Sequence, residues 1–307
     1  MKRIITFIIC LLFISVANAI EYDARDIQAC PQDGKLICDK NGVTLSGYIE
    51  AYFYYPRKRL EFEGEYQNGK PNGLIKGYYP EGNLSSAWNF KDGKRDGISK
   101  KYDSDGNLVY ERSYKDGVLD GLSKRYLNGK LIEEVNMKNN IPDGFLKSYY
   151  ENGNLSSEQY YKEGKPEGVF KDYYFNGILR TKDNFINGQP EGPFSWYYNN
   201  GKLMCEGSYK NGKLSDVLKI YYKDEKLKIK ITFKDGETSI VELYDEYENL
   251  KERLKINNGD YLYLQDEEEK IITGSDTFDF MQKDIYNYVH NPLGYLRDTT
   301  LLEESKF

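Results

Sequence analysis

Residues 139–162 read NNIPDGFLKSYYENGNLSSEQYYK, and close variants of the same phrase stand before and after them. Tyr54, Tyr78, Tyr102, Tyr126, Tyr149, Tyr173, Tyr197, Tyr221 and Tyr244 recur in step with Leu60, Leu84, Leu108, Leu131, Leu155, Leu179, Leu203, Leu227 and Leu250. A third set, Tyr66, Phe90, Tyr114, Met137, Tyr161, Phe185, Tyr209, Phe233 and Ile256, keeps the same interval, and neighbouring leucines lie 24 or 23 residues apart. Three markers in phase over nine units define a repeat array. Such a unit buries its apolar side only by stacking on its neighbours.

Each unit carries two turn signals. One is a Gly pair, as in Asn68-Gly69-Lys70-Pro71-Asn72-Gly73 and again in Glu163-Gly164-Lys165-Pro166-Glu167-Gly168; the other is Asn152-Gly153-Asn154 and its counterparts. Glycine supplies positive φ and Asn tolerates it, which tight hairpin turns require. Between the turns lie runs of about seven residues, too short for helices and rich in Tyr, Phe and Leu. In Leu227-Lys228-Ile229-Lys230-Ile231-Thr232-Phe233 the apolar residues fall on one side of a strand and the polar ones on the other. The expected fold is all-β: an elongated antiparallel meander of stacked β-hairpins with a short C-terminal helical cap. At about 10 Å per hairpin, nine would extend roughly 85 Å before twist.

The recurring order of Gly, an aromatic, Tyr-Tyr, Asn-Gly-x-Leu, an aromatic and Gly-x-x-x-Gly resembles the MORN repeat variant found in bacterial proteins, many of them labelled antitoxin-like. The resemblance covers roughly residues 68–234. It implies a β-hairpin scaffold used for interaction, and it carries no shared active site.

Residues 1–19 have the plan of a signal peptide: Lys2 and Arg3, an apolar run over 4–16, then Ala17-Asn18-Ala19 before Ile20. An exported chain is expected, periplasmic, on the cell surface or secreted, with residues 20–61 forming an N-terminal cap and degenerate first repeat. The array then occupies 62–258, and 259–307 is the C-terminal cap. Cys10 lies within the apolar run, and Gln28 stands where a lipid-attachment motif before Cys30 needs a small residue, so a lipid anchor is disfavoured. A second apolar run is absent, so no membrane span is expected in the mature chain. Losing Lys2 and Arg3 moves the net charge from −6 to −8, which opposes nucleic acid as a partner. Arg57-Lys58-Arg59 falls at the first hairpin turn and reads as a solvated turn.

Cys30 and Cys38 flank Asp33-Gly34 as a disulfide-closed hairpin would in an exported protein, and zinc would need two further ligands that the spacing lacks. Cys205 reads as a small buried apolar residue. In the last stretch a degenerate strand, Tyr261-Leu262-Tyr263-Leu264, leads into an acidic run at 266–269. Ser275-Asp276-Thr277 then precedes Phe278, Met281, Ile285, Tyr288 and Val289 at amphipathic-helix spacing, stopped by Asn291-Pro292.

Catalytic constellations are missing. The single histidine, His290, falls at the expected helix end. Residues 207–214 depart from a phosphate loop at Leu214, where a hydroxyl belongs. Asp103-Ser104-Asp105-Gly106-Asn107 reads as a turn before it reads as a calcium loop. No metal and no cofactor are expected. The feature with functional edge is the doubled tyrosine, because neighbouring side chains on a strand point to opposite faces. One stripe can pack the repeats, leaving Tyr79, Tyr150, Tyr174, Tyr198 and Tyr222, enlarged by Trp196, as a candidate exposed aromatic ladder. The expected function is a non-catalytic scaffold binding a protein partner in the cell envelope. The alternatives are an antitoxin or immunity-like protein, and a glycan-binding or envelope enzyme.

Overall fold

A computed structural model describes residues 20–29, 37–54 and 57–257, and the strands Asp260–Gln265 and Glu268–Ile272. The leader 1–19, Cys30 and the helix expected after Ser275, with His290, lie outside the described residues. Among those described, every regular element except the three-residue 3-10 turn Ala24–Asp26 is a strand. No described helix is long and apolar enough to cross a membrane.

The chain divides into two compact units, residues 1–130 and 131–307. The division falls inside the array that the sequence presents as uninterrupted. Hairpins of a repeat array touch mainly their neighbours, so an array can divide without a linker.

In the first unit, strands Gly47–Phe53, Arg59–Gln67, Lys70–Tyr78, Leu84–Lys91, Lys94–Tyr102, Leu108–Lys115 and Val118–Leu127 pair antiparallel in chain order. Ile20–Asp23 joins the first of them in parallel, Ile20 opposite Ile49. Cys38, in the small pairing of Gln28–Ala29 with Ile37–Cys38, is buried and disulfide-bonded. The second unit is a meander of its own, from Lys130–Lys138 through Leu250–Asn257 to Asp260–Gln265 and Glu268–Ile272. Glu268 and Glu269, expected in a cap, stand in the final strand. Strand Asp260–Gln265 covers the degenerate strand expected at Tyr261–Leu264, and Glu268–Ile272 adds one further strand beside it.

The two turns of a unit differ. Asn68-Gly69 (φ 49° and 75°) and Asn187-Gly188 (φ 51° and 85°) are two-residue turns with both residues left-handed, the hairpin type whose twist matches the strands. The opposite turn is longer: in the first unit Tyr79 N–H donates to the Asn83 carbonyl at 2.8 Å, and Gly82 N–H to the Tyr79 carbonyl at 2.9 Å. The second Gly of the Gly pair is no turn residue. Gly73 lies within strand Lys70–Tyr78, next to a register shift, with φ 107°, and Gly144 repeats this at φ 124°. A bulge there needs a conformation L side chains avoid.

The intervening motif residues tie hairpin to hairpin. Gly93 N–H donates to the Pro71 carbonyl at 3.0 Å, Gly117 N–H to that of Arg95 at 2.8 Å, and Gly188 N–H to that of Pro166 at 2.8 Å. The side chain before the bulge Gly accepts from the next turn: Asn187 N–H donates to Glu167 Oε2 at 2.8 Å, and Asn211 N–H to Glu191 Oε2 at 2.7 Å. Lys-Pro-Glu-Gly is thus a coupling between consecutive turns.

Period-2 alternation gives each sheet two faces. The core face carries a buried cluster in the second unit around Phe194, Trp196, Cys205, Leu218, Ile229 and Ile231, and a smaller one in the first around Leu45, Ile49, Tyr66 and Ile75. Each fully buried side chain of this size contributes about 1.5–3 kcal/mol. The other face alternates charges across strands. Lys76 Nζ lies 2.9 Å from Glu63 and Lys100 3.0 Å from Glu111 in the first unit; Lys230 lies 2.8 Å from Glu242 in the second. We call this the ladder face.

Candidate functional site

The doubled tyrosines divide their work between the two faces. The second of each pair leans to the core-face side and is half-buried. Its hydroxyl donates to the carbonyl of the first tyrosine one repeat on: Tyr79 to Tyr102 at 2.8 Å in the first unit, then Tyr150 to Tyr173, Tyr174 to Tyr197 and Tyr198 to Tyr221 at 2.7 Å each, and Tyr222 to Tyr244 at 3.1 Å. The geometry makes these five residues staples between consecutive hairpins. Trp196 is 2% exposed, sits in the second unit's core cluster, and donates from Nε1 to Asp183 Oδ1 at 3.2 Å. The expectation that it would enlarge an exposed ladder is therefore corrected. Trp196 pairs in register with Cys205 on the core face, where indole area is worth more buried than wet.

The first tyrosine of each pair faces the charged ladder. Tyr78 Oη donates to Glu63 Oε1 at 2.6 Å, Tyr149 to Glu134 at 2.8 Å and Tyr221 to Glu206 at 2.8 Å. Burial and the Glu134 carboxylate push the Tyr149 phenol up to about 12, and burial with Glu63 and Glu206 respectively raises those of Tyr78 and Tyr221.

Beside this ladder runs a feature that the tyrosine pattern does not reveal. Leu74, Ile98 and Leu122 in the first unit, and Phe145 and Val169 in the second, are 37% to 48% exposed. Each follows a bulge Gly and shares its strand face with the residues two and four positions on, as in Leu74, Lys76 and Tyr78. The sequence holds the signal in Gly73-Leu74, Gly97-Ile98, Gly121-Leu122, Gly144-Phe145 and Gly168-Val169. Several of these positions are fixed from the adjoining strand: Asn89 Nδ2 donates to the Ile98 carbonyl at 2.7 Å, and Ser113 Oγ to that of Leu122 at 3.0 Å. In the second unit, Tyr160 meets Phe145 edge-on with ring centroids 5.1 Å apart.

The remaining candidates are structural. Asp103 Oδ1 accepts from the backbone N–H groups of Asp105 and Asn107 at 3.0 and 2.8 Å, so that loop is an Asx turn. The Asn107 side chain and backbone hold the Asp103 carboxyl below its usual range. Among the described residues no group of three or more His, Cys, Asp or Glu is placed to hold a metal. Cys205 is fully buried, and burial pushes its thiol up, which suppresses the reactive thiolate. Lys58 of the basic turn lies 2.6 Å from Glu21 and 4.2 Å from the Tyr52 ring centroid, so its charge is locally engaged.

No curated protein matches the chain. Among solved structures, the crystal structure of TcdB2-TccC3 is 13% identical over 77% of this chain with a TM-score of 0.18, and that of TcdB2-TccC3-Cdc42 is 12% identical over 78% with a TM-score of 0.16. The chain spans 17% and 16% of the length of those chains, and likenesses at these scores carry no argument. The family described as MORN repeat variant matches residues 71–92, 95–116, 142–163, 166–187, 190–211 and 217–235. Each match spans one interval of the turn, bulge and tyrosine pattern laid out above, and the chain belongs to the MORN repeat variant family.

Proposed function

We propose that this protein is an exported, non-catalytic scaffold that binds a protein partner in the cell envelope through the ladder faces of its hairpin sheets. The observation that carries the reading is the exposed apolar side chain that recurs at one position of five hairpins, Leu74, Ile98, Leu122, Phe145 and Val169, next to Lys–Glu pairs. An apolar stripe rimmed by charge is the composition of a protein-binding surface. The motif glycines, prolines, acids and second tyrosines already serve hairpin stacking, so the stripe is the periodic feature left over for recognition. Export rests on the plan of residues 1–19.

The experiment is cross-linking capture from native envelope fractions. It compares the chain with a Leu74→Ser, Ile98→Ser, Leu122→Ser variant and a Phe145→Ser, Val169→Ser variant, each first checked for native circular dichroism. A partner held by the parent and lost from either variant supports the reading. Equal capture by all three overturns the ladder face as the binding surface. Fractionation of the expressed full-length chain, with N-terminal sequencing, tests export: a mature start at Ile20 outside the cytoplasm is expected.

A further inference from the structure

The core face of the first unit breaks the repeat's own rule in the strands Lys94–Tyr102, Leu108–Lys115 and Val118–Leu127. Ile75, Leu146, Phe170, Phe194 and Leu218 hold one position of the repeat, and at that same position stand Ser99 and Ser123. Arg112 lies between them and is the direct cross-strand neighbour of both. In the next rung Lys101 and Arg125 flank Tyr110. Trp88 is paired with Ser99 from the other side. Arg95, on the same face, packs its guanidinium 4.1 Å from the Trp88 ring centroid, and Arg112 lies 4.3 Å from that of Tyr110.

Three polar atoms here are buried without a hydrogen-bond partner: Ser99 Oγ, Ser123 Oγ and Trp88 Nε1. Ser99 is 0% exposed and Ser123 7%. Leaving a buried donor unsatisfied costs about 1–3 kcal/mol, and an apolar residue at either serine position would avoid it, as the other repeats do. Four cations also share this face of a chain whose net charge is −6. At the register-matched positions of that face, from Ser86 to Arg125, no Asp or Glu occurs. The neighbouring acid, Glu111, points to the opposite face with Lys100 and Lys124.

We propose that this rung is an oxyanion site, taking a phosphate or sulfate group. Arg112 and Lys101 supply the charge, and the Ser99 and Ser123 hydroxyls and Trp88 N–H supply the donors. A group with several acceptor oxygens and no donor answers a site made of donors and cations alone, and the planar Arg fork suits its geometry. The Arg112 side chain swings from the Tyr110 ring to admit the anion, a rotamer change of the kind that binding commonly brings.

Trp88 and Trp196 are the two tryptophans of the chain, so a Trp196→Phe background leaves Trp88 as an optical reporter within the site. The test titrates inorganic phosphate, then sulfate, at ionic strength held constant with sodium chloride, following Trp88 fluorescence and calorimetric heat. Saturable binding is expected for both anions, weakened about tenfold or more by Arg112→Gln, in line with loss of a charge-assisted bond. Ser99→Ala with Ser123→Ala is expected to weaken binding while leaving the fold intact or more stable. Arg112→Gln alone carries the test if the serine variant does not fold. Absence of saturable binding in the parent overturns the proposal, as does unchanged affinity in Arg112→Gln. Co-sedimentation with phosphatidylglycerol vesicles, without a response to soluble phosphate, also overturns it.

Discussion

A single hydroxyl shows how this chain spends its tyrosines. Tyr174 is half-buried and donates to the Tyr197 carbonyl at 2.7 Å, so Phe at this position keeps the ring and loses the staple. Tyr174→Phe is expected to destabilise the second unit by about 1 kcal/mol, the usual net worth of one hydrogen bond, read as a lower urea midpoint at unchanged slope. The ladder-face tyrosines predict a pH effect. Tyr149 has its phenol raised from 10 to about 12 by burial and Glu134, and Tyr48 is raised to about 12 by burial and Glu63. A raised phenol favours the neutral form in the fold. The stability it contributes is therefore complete below pH 10 and is lost as pH climbs towards 12. Thermal midpoints are expected to fall across that window, and tyrosinate absorbance of the native protein is expected to lag behind that of the unfolded chain.

The hairpin is the unit of both fold and surface, and its bulge Gly is the hinge between them. At Gly144 the backbone has φ 124°, and an added Cβ would come 2.9 Å from Asn136 Cβ. Gly144→Ala is expected to cost about 1–3 kcal/mol through that strain, and to disturb the placement of Phe145 next to it. Amide hydrogen exchange localised to Ile141–Tyr149 and Leu155–Lys162 would confirm a local lesion. Two-residue turns such as Asn68-Gly69 are readable from the chain itself, because positive φ selects Asn and Gly by type. The bulge is not, since a Gly four residues after a turn Gly has the same sequence signature whether it turns the chain or kinks a strand.

The two compact units differ in how much they bury. Among the described residues the core cluster of the second holds ten buried side chains, Trp196 among them, whereas that of the first holds four. Trp88 lies in the first unit and Trp196 in the second, so Trp196→Phe and Trp88→Phe variants report on each separately. The transition seen by Trp196 is expected at higher denaturant than that seen by Trp88. One coincident transition would show instead that the chain unfolds as a single cooperative block.

Period, strand type, turn chemistry and the all-β class are written locally, in residues whose φ preference and alternation act over two to four positions, so the amino-acid sequence alone determines them. The tyrosine pairs are equally legible there, but their duty is not. Whether a half-buried ring offers its face or staples its neighbour depends on a carbonyl 23 residues away, and only the stacking of hairpins brings that carbonyl within 2.7 Å. The same reason accounts for Trp196: strand alternation gives the side of a residue, and the packing of several strands decides which side is buried. The exposed stripe of Leu74, Ile98 and Leu122, and the serine and arginine rung at Ser99, Arg112 and Ser123, emerge only when register sets residues from adjoining strands side by side.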